Sequence, residues 1–303
     1  MSGPGKSALR FAVIGSPVAH SKSPAMHMAA YRALGLPHTY EKLETSTAEL
    51  PERIEALRRG DFAGLNVTVP HKSKVLRLVD DVHASARATG AANTLVRTPD
   101  GRVSAHNTDM PAVAAELARL AGDASRLRGG VGLVIGTGGA ARAAIVAMAS
   151  HLGIARVLIR GRALAETGHA IAYVREIDRI LAAAGGRGVA VALGADGLHA
   201  PDKEDARLVA IVQATSCGMQ GASPGEVVAE AVRWEQVPTN AVALDVVYAP
   251  ARTPFLERAS ARGLATDNGL GMLARQGALA FELWLGVLPP IAIMRAAIDE
   301  SIS

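Results

Sequence analysis

The sequence predicts an α/β protein of two domains, and three observations support this prediction. The chain of 303 residues suits one large domain or two of ordinary size. Its second part, from Gly130 to about Thr266, alternates continuous apolar strands with helices, which is typical of a doubly wound parallel sheet. A glycine-rich turn joins the first of these strands to its helix. The first part, from Arg10 to about Asp109, has shorter strands of more mixed character.

Short strand-like runs alternate with helical segments in the first part of the chain. Each run combines apolar or β-branched residues between turn signals, and the last is followed by a turn at Asp100-Gly101. The predicted strands are FAVIG (11–15), HTYEKL (38–43), GLNVTV (64–69) and NTLVR (93–97).

The segment NVTVPHK (66–72) predicts a strand that ends at a proline. Alternation places Val67 and Val69 on one face of this strand. Pro70 suits the first turn of a helix, so Lys72 is expected near a helix amino end. The helix macrodipole disfavours a cation there. A lysine in this position is therefore better suited to exchanging a proton than to serving as a surface charge that keeps the protein soluble.

The second part of the chain follows a β-α-β pattern. VGLVIG (131–136) leads into a helix, and RVLIRG (156–161) leads into a long helical stretch that we expect to end at about Ala184. A helical tail follows Asn268. Further apolar strands are predicted at GVAVAL (188–193), LVAIVQ (208–213) and AVALDVV (241–247).

The segment GTGGAA (136–141) matches G-x-G-x-x-A and lies between a predicted strand and a predicted helix. Glycines there permit a tight turn and bring backbone N–H groups close to a pyrophosphate at the helix amino end. This context predicts a dinucleotide site, against the alternative of an ordinary tight turn between strand and helix.

The end of the next strand bears on the choice of dinucleotide. An NAD site usually has an acidic residue about 20 residues after the glycines, which binds the ribose 2′-hydroxyl. This chain has Arg160 and Arg162 there, and arginine pairs with a 2′-phosphate. The sequence therefore favours NADP over NAD, with two solvated arginines at a strand end as the alternative.

Two further groups of polar residues stand at predicted helix starts. Asp109 precedes a helix with Pro111 in its first turn, so it is either an N-cap or a carboxylate that orients Lys72. Ser21 and Ser23 precede another helix, where their hydroxyls can cap the helix or bind a polyol or carboxylate ligand. The sequence leaves both alternatives open.

The composition argues against several classes of protein. The single cysteine excludes an internal disulfide, and no spacing predicts a metal site. The net charge of +4, with a pI near 9.4, suits an anionic small molecule better than nucleic acid, because the basic residues are scattered and aromatics are only 3%. No window has the ~20 apolar residues of a bilayer span, and the amino end lacks signal-peptide features. We therefore expect a cytoplasmic protein with no nucleic-acid or membrane partner.

Eight segments, in order along the chain, resemble the shikimate dehydrogenase family. Any one of them is a weak signal, but their order and their spread over almost the whole chain make the resemblance specific. The segments are GSPVAHSKSP (15–24), NVTVPHK (66–72), TGAANT (89–94), NTD (107–109), GTGGAA (136–141), ATS (214–216), DVVYAPARTPFL (245–256) and GLGMLARQGALAFELW (269–284).

The resemblance implies an enzyme of aromatic amino-acid biosynthesis. Its reaction is the reversible NADP-linked oxidation of shikimate at the 3-hydroxyl to 3-dehydroshikimate. It implies a discontinuous α/β substrate-binding domain, residues 1–110 and 268–303, and a Rossmann-type NADP-binding domain with a doubly wound parallel sheet, residues 111–267. The site would lie between the two lobes, and a homodimer is a possible assembly.

The resemblance also implies roles for individual residues. Lys72 and Asp109 fall on the family's catalytic pair, and we expect Lys72 to be the acid–base group or its close relay, with Asp109 orienting it. Ser21 and Ser23 fall on the hydroxyls that bind the substrate carboxylate. The other implied substrate contacts are Thr68, Asn93, Tyr248 and Gln276; the implied cofactor contacts are Gly136, Thr137, Gly138, Gly139 and Ala140 at the diphosphate, Arg162 at the 2′-phosphate, and Thr215, Val246 and Gly269 beside the nicotinamide.

Four residues depart from the family's usual pattern: Ser16, Met110, Gly161 and Gln213. They leave two alternatives open. The first is a paralogue that acts on quinate or an aminoshikimate with NAD or NADP, although both retained serines of the SKS segment favour shikimate over quinate. The second is a catalytically silent ligand-binding paralogue.

Overall fold

The computed structural model describes residues 7–183, 189–192, 207–219 and 221–299. The chain divides into two compact units, Met1–Thr108 with Leu273–Ser303, and Asp109–Met272. The amino-terminal residues 1–6 and Ala184, the expected end of the long helix, lie outside the described residues. Among the residues that are described, no helix is long and apolar enough to cross a membrane.

The first unit contains one six-stranded sheet with helices on it. Its amino-terminal elements are β1 (Arg10–Gly15), α1 (Ser23–Ala33), β2 (Thr39–Glu44), α2 (Leu50–Arg59), β3 (Gly64–Val67), β4 (Asp81–Val82), α3 (Ala84–Arg87), β5 (Thr94–Arg97) and β6 (Val103–His106).

The strand order of this sheet is β2-β1-β3-β5-β6-β4. β1 pairs in parallel with β2 and β3, whereas β5 is antiparallel to both β3 and β6. The four strand runs predicted in this part of the chain are present. β4, which has only two residues, and β6 were not predicted, although the turn at Asp100-Gly101 does join β5 to β6.

The second unit has a fully parallel sheet, as predicted. Its elements are α4 (Asp109–Ala121), β7 (Val131–Ile135), α5 (Gly139–Val146), β8 (Arg156–Arg160), α6 (Thr167–Ala183), β9 (Val189–Ala192), β10 (Leu208–Gln213), α7 (Glu226–Ala229), β11 (Val242–Asp245), α8 (Pro254–Ala261) and β12 (Ala265–Asp267).

The strand order β12-β11-β10-β7-β8-β9 reverses direction at β7, which is the Rossmann arrangement. All five described strand pairs in this sheet are parallel. The apolar side chains of β7, β8 and β10 are buried, except that Val209 is half-buried, as expected for a sheet covered on both faces. The carboxyl ends of β7, β8, β10 and β11 therefore lie at one edge of the sheet.

The helical tail consists of α9 (Leu270–Leu285) and α10 (Ile291–Asp299). α10 packs against α1 in the first unit. The indole Nε1 of Trp284 donates a hydrogen bond to the carbonyl oxygen of Leu95 at 2.9 Å, and the indole ring lies 4.9 Å from the ring of Phe11. The tail therefore covers the sheet formed by the amino-terminal residues.

One prediction for the turn after β3 is wrong. No α-helix begins at Pro70; the strand ends at Val67, and a four-residue 3₁₀ helix begins only at Lys74. Val69 is 62% exposed, because the alternation ends with the strand. So short a helix has a small dipole, and the argument that placed Lys72 at the amino end of an α-helix does not hold.

The close approach of Trp284 to β3 makes Gly64 sensitive to substitution. A Cβ atom on Gly64 would lie 2.2 Å from Nε1 of Trp284, so Gly64→Ala must displace the indole and weaken its hydrogen bond to Leu95. We expect a loss of about 1–3 kcal/mol in the free energy of unfolding, measured by urea denaturation.

The matched control is Gly168→Ala in α6, where a Cβ atom would have no neighbour within 4 Å. This change should leave the free energy of unfolding unchanged or raise it slightly, since alanine favours helix. Equal stability of Gly64→Ala and the wild type would contradict the packing of Trp284 on β3.

Candidate active site

Two serine side chains lie at the amino end of α1. The helix begins at Ser23, Lys22 is its N-cap residue, and Pro24 is in its first turn. The backbone N–H of Ser23 donates to the hydroxyl of Ser21 at 3.3 Å. Both serines are therefore next to the positive end of an eleven-residue helix, a position that favours a carboxylate.

The turn after β3 holds Lys72 by its backbone. The carbonyl oxygen of Lys72 accepts a hydrogen bond from the backbone N–H of Ala92 at 2.7 Å. The buried ring of His71 donates from Nε2 to the carbonyl oxygen of Thr45 at 2.6 Å. Thr68 donates its N–H to the carbonyl oxygen of Ile14, so the turn is attached to three neighbouring segments. Sequence reasoning did not assign His71 this anchoring role.

Asn93 and Gln276 are in direct contact although 183 residues separate them. Nδ2 of Asn93 donates to Oε1 of Gln276 at 3.1 Å and to the hydroxyl of Thr108 at 2.8 Å. Oδ1 of Asn93 accepts from the backbone N–H of Thr108 at 2.7 Å. Gln276 also donates from Nε2 to the carbonyl oxygen of Leu273. The structure thus brings two predicted substrate residues together in the first unit.

Asp109 is the first residue of α4 and is buried. It therefore lies inside the first turn of the helix, one position later than an N-cap, and Pro111 is in the same turn. A carboxylate in this turn is stabilised by the helix macrodipole. The neighbouring Met110 is also buried.

The glycine turn between β7 and α5 has the geometry that the sequence predicts. Gly136 has φ +127°, and a Cβ atom there would lie 2.9 Å from the carbonyl oxygen of Ala214. Gly138 is the N-cap of α5, and a Cβ atom there would have no neighbour within 4 Å. The turn therefore combines a tight backbone with open space at a helix amino end, which fits a diphosphate. Thr137 lies in this turn, and Gly139 and Ala140 form the first turn of α5.

The two arginines after β8 differ in their environment. The side chain of Arg160 is 1% exposed, and its guanidinium donates to the carbonyl oxygen of Ala231. Arg162 is exposed at the end of the strand. Arg160 is therefore committed to the interior of the second unit, and only Arg162 is accessible to a 2′-phosphate.

The side chain of Gln213 shapes the loop after β10. Oε1 of Gln213 accepts from the backbone N–H of Thr215, and Nε2 donates to the carbonyl oxygens of Thr215 and Cys217 at 3.3 and 3.1 Å. Gln213 is fully buried, and its bond to Cys217 is buried with it, whereas Thr215 is half-buried. Sequence reasoning noted this residue only as a departure from the family's pattern and missed its contact with the backbone of Thr215.

Asp245 has a similar role in the loop after β11. Its carboxylate accepts from the Thr253 hydroxyl at 2.6 Å, from the backbone N–H of Val247 at 2.9 Å and from Nε2 of Gln213 at 3.2 Å. Burial raises the pKa of Asp245 to about 7, although the bonds from Thr253 and Val247 favour the charged form. Val247 and Thr253 follow Asp245 in the same loop, whereas Gln213 lies on the neighbouring strand β10, so the bond from Gln213 leaves no signal in the neighbouring sequence.

The remaining predicted residues lie on this loop and next to it. Val246 and Tyr248 are half-buried on either side of Val247. Gly269 donates its N–H to the carbonyl oxygen of Val247 at 3.2 Å, and a Cβ atom there would lie 2.2 Å from the carbonyl oxygen of Val246. Only glycine allows this approach, so the start of α9 is fixed against the loop after β11.

Two family models match the chain. Residues 13–95 match the shikimate dehydrogenase substrate binding domain, and residues 269–298 match the shikimate 5′-dehydrogenase C-terminal domain. The matched ranges include Lys72, Asn93 and Gln276.

The chain is also similar to named proteins along almost its whole length. It is 40% identical to a shikimate dehydrogenase (NADP(+)) of Methylobacterium radiotolerans, over 92% of each chain. It resembles the crystal structure of a shikimate 5-dehydrogenase of Thermus thermophilus in complex with NADP(H) and shikimate, with a TM-score of 0.74 and 35% identity over 97% of this chain and 99% of that one. It also resembles a quinate dehydrogenase of Corynebacterium glutamicum in complex with NAD, with a TM-score of 0.81 and 30% identity over 97% and 99% of the two chains.

The pKa of Asp245 gives a pH dependence that can be measured. Between about pH 4 and pH 7 the folded chain holds a proton on Asp245 that the unfolded chain has lost. The free energy of unfolding therefore falls as the pH rises through this window. We expect the stability difference, wild type minus Asp245→Asn, to fall by an amount on the order of 4 kcal/mol between pH 4 and pH 7. Urea denaturation at a series of pH values measures it.

Asp80→Asn is the matched control, because the hydrogen bond from Arg58 lowers the pKa of Asp80. The contribution of Asp80 to the free energy of unfolding is lost only as the pH falls below about 4. The direction of its pH dependence and the pH range in which it occurs therefore both differ from those of Asp245. A stability difference for Asp245→Asn that does not change with pH would contradict the raised pKa.

Proposed function

The chain belongs to the shikimate dehydrogenase family, and we propose that it catalyses the reversible NADP-linked oxidation of shikimate at its 3-hydroxyl to 3-dehydroshikimate. The observation that carries this proposal is the similarity to shikimate dehydrogenases (NADP(+)), which extends through both units of the chain.

On the substrate side, we assign carboxylate binding to Ser21 and Ser23. Two hydroxyl donors at a helix amino end suit an anion, because the donors and the helix dipole act in the same direction. We assign the remaining contacts to side chains that can bind the hydroxyls and the ring of the substrate, namely Thr68, Asn93, Tyr248 and Gln276. A site of this kind selects strongly for hydroxyl positions, because a missing partner leaves a buried polar group unpaired.

Lys72 is the proposed acid–base group. It accepts the proton of the 3-hydroxyl, directly or through water, during oxidation, and it donates a proton during reduction. Its fixed backbone supports this role, since the carbonyl oxygen of Lys72 is bonded to Ala92. We assign Asp109 as the carboxylate that orients the ammonium group of Lys72 and stabilises its charged form.

On the cofactor side, we assign the diphosphate to the turn formed by Gly136, Thr137, Gly138, Gly139 and Ala140. The chemistry that NADP supplies when bound is acceptance of a hydride from the carbinol carbon. Arg162 is the proposed partner of the 2′-phosphate, because it is exposed and Arg160 is buried. Thr215, Val246 and Gly269 are the proposed contacts on the nicotinamide side, and the bonds from Gln213 and Asp245 set the shape of their loops.

We assign residues 1–110 and 268–303 to the substrate-binding domain, and residues 111–267 to the NADP-binding domain. The two compact units of the chain support this division, with boundaries a few residues away. We also propose that the protein acts in aromatic amino-acid biosynthesis, in the cytoplasm, and that it forms a homodimer.

The second candidate is a quinate dehydrogenase that uses NAD. Two observations favour it: the similarity to the quinate dehydrogenase in complex with NAD, and the burial of Arg160, which leaves one accessible arginine at the end of β8. The retained pair Ser21 and Ser23 favours shikimate.

A steady-state panel tests the proposal. Shikimate, quinate and aminoshikimate are each assayed with NADP and with NAD by nicotinamide absorbance. We expect the highest kcat/KM with shikimate and NADP. A higher value with quinate and NAD would establish the second candidate, and no absorbance change with any pair would support a catalytically silent ligand-binding protein.

Lys72→Ala tests the acid–base assignment. General acid–base help contributes about 10²–10⁴-fold, so we expect kcat to fall within that range while the KM for shikimate changes much less. Lys74→Ala is the matched control, since Lys74 is an exposed lysine of the same turn that donates to the Thr47 hydroxyl. Turnover of Lys72→Ala near the wild-type value would show that another group moves the proton.

A further inference from the structure

A chain of buried hydrogen bonds runs through the first unit and joins residues of β2, β3, β5 and α9. It begins at the hydroxyl of Tyr40 and passes through the side chain of Asn66 to Asn93 and on to Gln276. We call these residues, together with Thr94 and Thr108, the Asn66 network. All six are buried.

Tyr40 is held at both ends. Its hydroxyl donates to Oδ1 of Asn66 at 2.7 Å, and its ring stacks on the ring of His27 at 4.4 Å with an angle of 3° between the planes. Burial lowers the pKa of His27 to about 3, so His27 is neutral and stacks as an uncharged ring. The ring position is therefore fixed by packing, and the hydroxyl donates its one proton to the Asn66 amide.

Asn66 uses both ends of its amide within the protein. Oδ1 accepts from Tyr40, and Nδ2 donates to the carbonyl oxygen of Asn93 at 3.0 Å and to the hydroxyl of Thr94 at 3.2 Å. This fixes which way the amide faces, since a flipped amide would place its NH₂ group against the Tyr40 O–H. The orientation of Asn66 thus depends on the Tyr40 proton.

The network reaches three residues of the proposed substrate site. Asn93 is bonded to Asn66 through its backbone and to Gln276 through its side chain. At the other end, the hydroxyl of Ser23 is a hydrogen-bond partner of the Tyr40 hydroxyl. The Tyr40 proton is already donated to Asn66, so the Ser23 hydroxyl donates to the Tyr40 oxygen. This bond holds the Ser23 side chain in place until a substrate carboxylate takes its proton.

We propose that Tyr40 is a positioning residue that holds Ser23 and, through Asn66, the Asn93–Gln276 pair in the arrangement that binds shikimate. This inference rests on the proposed function. Tyr40 does not act on the proton or the hydride; it sets where the polar groups of the substrate site stand before the substrate arrives. Binding is then tighter because less ordering is needed at that moment.

The test is Tyr40→Phe, which removes one hydroxyl and keeps the ring and its stacking on His27. The buried Oδ1 of Asn66 then lacks its donor, which loosens the Asn66 amide and weakens its bond to the carbonyl oxygen of Asn93, although the Val67 N–H still donates to that oxygen. Loss of a bond to a buried polar group corresponds to about a tenfold change in an equilibrium constant. We expect the dissociation constant for shikimate, measured by calorimetry without cofactor, to rise about tenfold, and the KM for shikimate to rise with it.

The kcat of Tyr40→Phe should stay within about threefold of the wild-type value, and the dissociation constant for NADP should not change. A raised KM for shikimate with a nearly unchanged kcat distinguishes a positioning role from partial unfolding, because partial unfolding would lower the active fraction, and with it kcat, and leave KM unaltered. All titrations are made well below the thermal midpoint of each protein, so every sample is folded.

Tyr31→Phe is the matched control. Tyr31 is also buried in the same aromatic cluster, but among the described residues its hydroxyl has no hydrogen-bond partner. Its removal should leave shikimate binding unchanged.

Equal shikimate affinity of Tyr40→Phe and the wild type, or equal loss in both phenylalanine variants, would overturn the proposal. A wild-type protein that does not bind shikimate would instead refute the proposed function.

Discussion

The first unit depends on contacts between residues at opposite ends of the chain. The amide of Asn93 bonds to Gln276, and the indole of Trp284 bonds to the carbonyl oxygen of Leu95. Apolar burial brings α9 onto the sheet but has no direction of its own. These two bonds fix the position of α9 on the sheet. One joins Asn93, the residue before β5, to Gln276, and the other joins Leu95 in β5 to Trp284. The amino-terminal sheet is thus completed by residues that follow the whole second unit in sequence.

Complete hydrogen bonding of buried amides gives this arrangement its specificity. A buried amide without partners costs about 1–3 kcal/mol, so the orientations of Asn66 and Asn93 are coupled through the bonds that they share. A site built on such groups is ordered before the substrate arrives. It also discriminates by hydroxyl position more sharply than an apolar pocket does, which suits an enzyme that must tell one polyol from another.

In the second unit, hydrogen bonds hold the loops at one edge of the parallel sheet in place. β7, β10 and β11 end at the glycine turn, at Gln213 and at Asp245. Because neighbouring parallel strands end side by side, Gln213 and Asp245 can bond to each other and to the backbones of their own loops. One amide and one carboxyl thereby fix the loops that carry Thr215 and Val246.

The sequence by itself determined the fold class and most of the proposed site. Apolar periodicity gave the strands of the parallel sheet, and the Gly136–Ala140 turn followed from the need for positive φ and a close backbone approach. These features are local and leave a local signal. Only the tertiary structure decided that Arg160 is buried, that no α-helix begins at Pro70, and that Tyr40, Gln213 and Asp245 hold other residues in place. The physical reason is that the bonds from Arg160 to Ala231, from Tyr40 to Asn66 and from Gln213 to Asp245 join distant segments, and no window of sequence contains both partners. The bonds of Gln213 and Asp245 within their own loops are local, but they depend on a burial that the local sequence does not show.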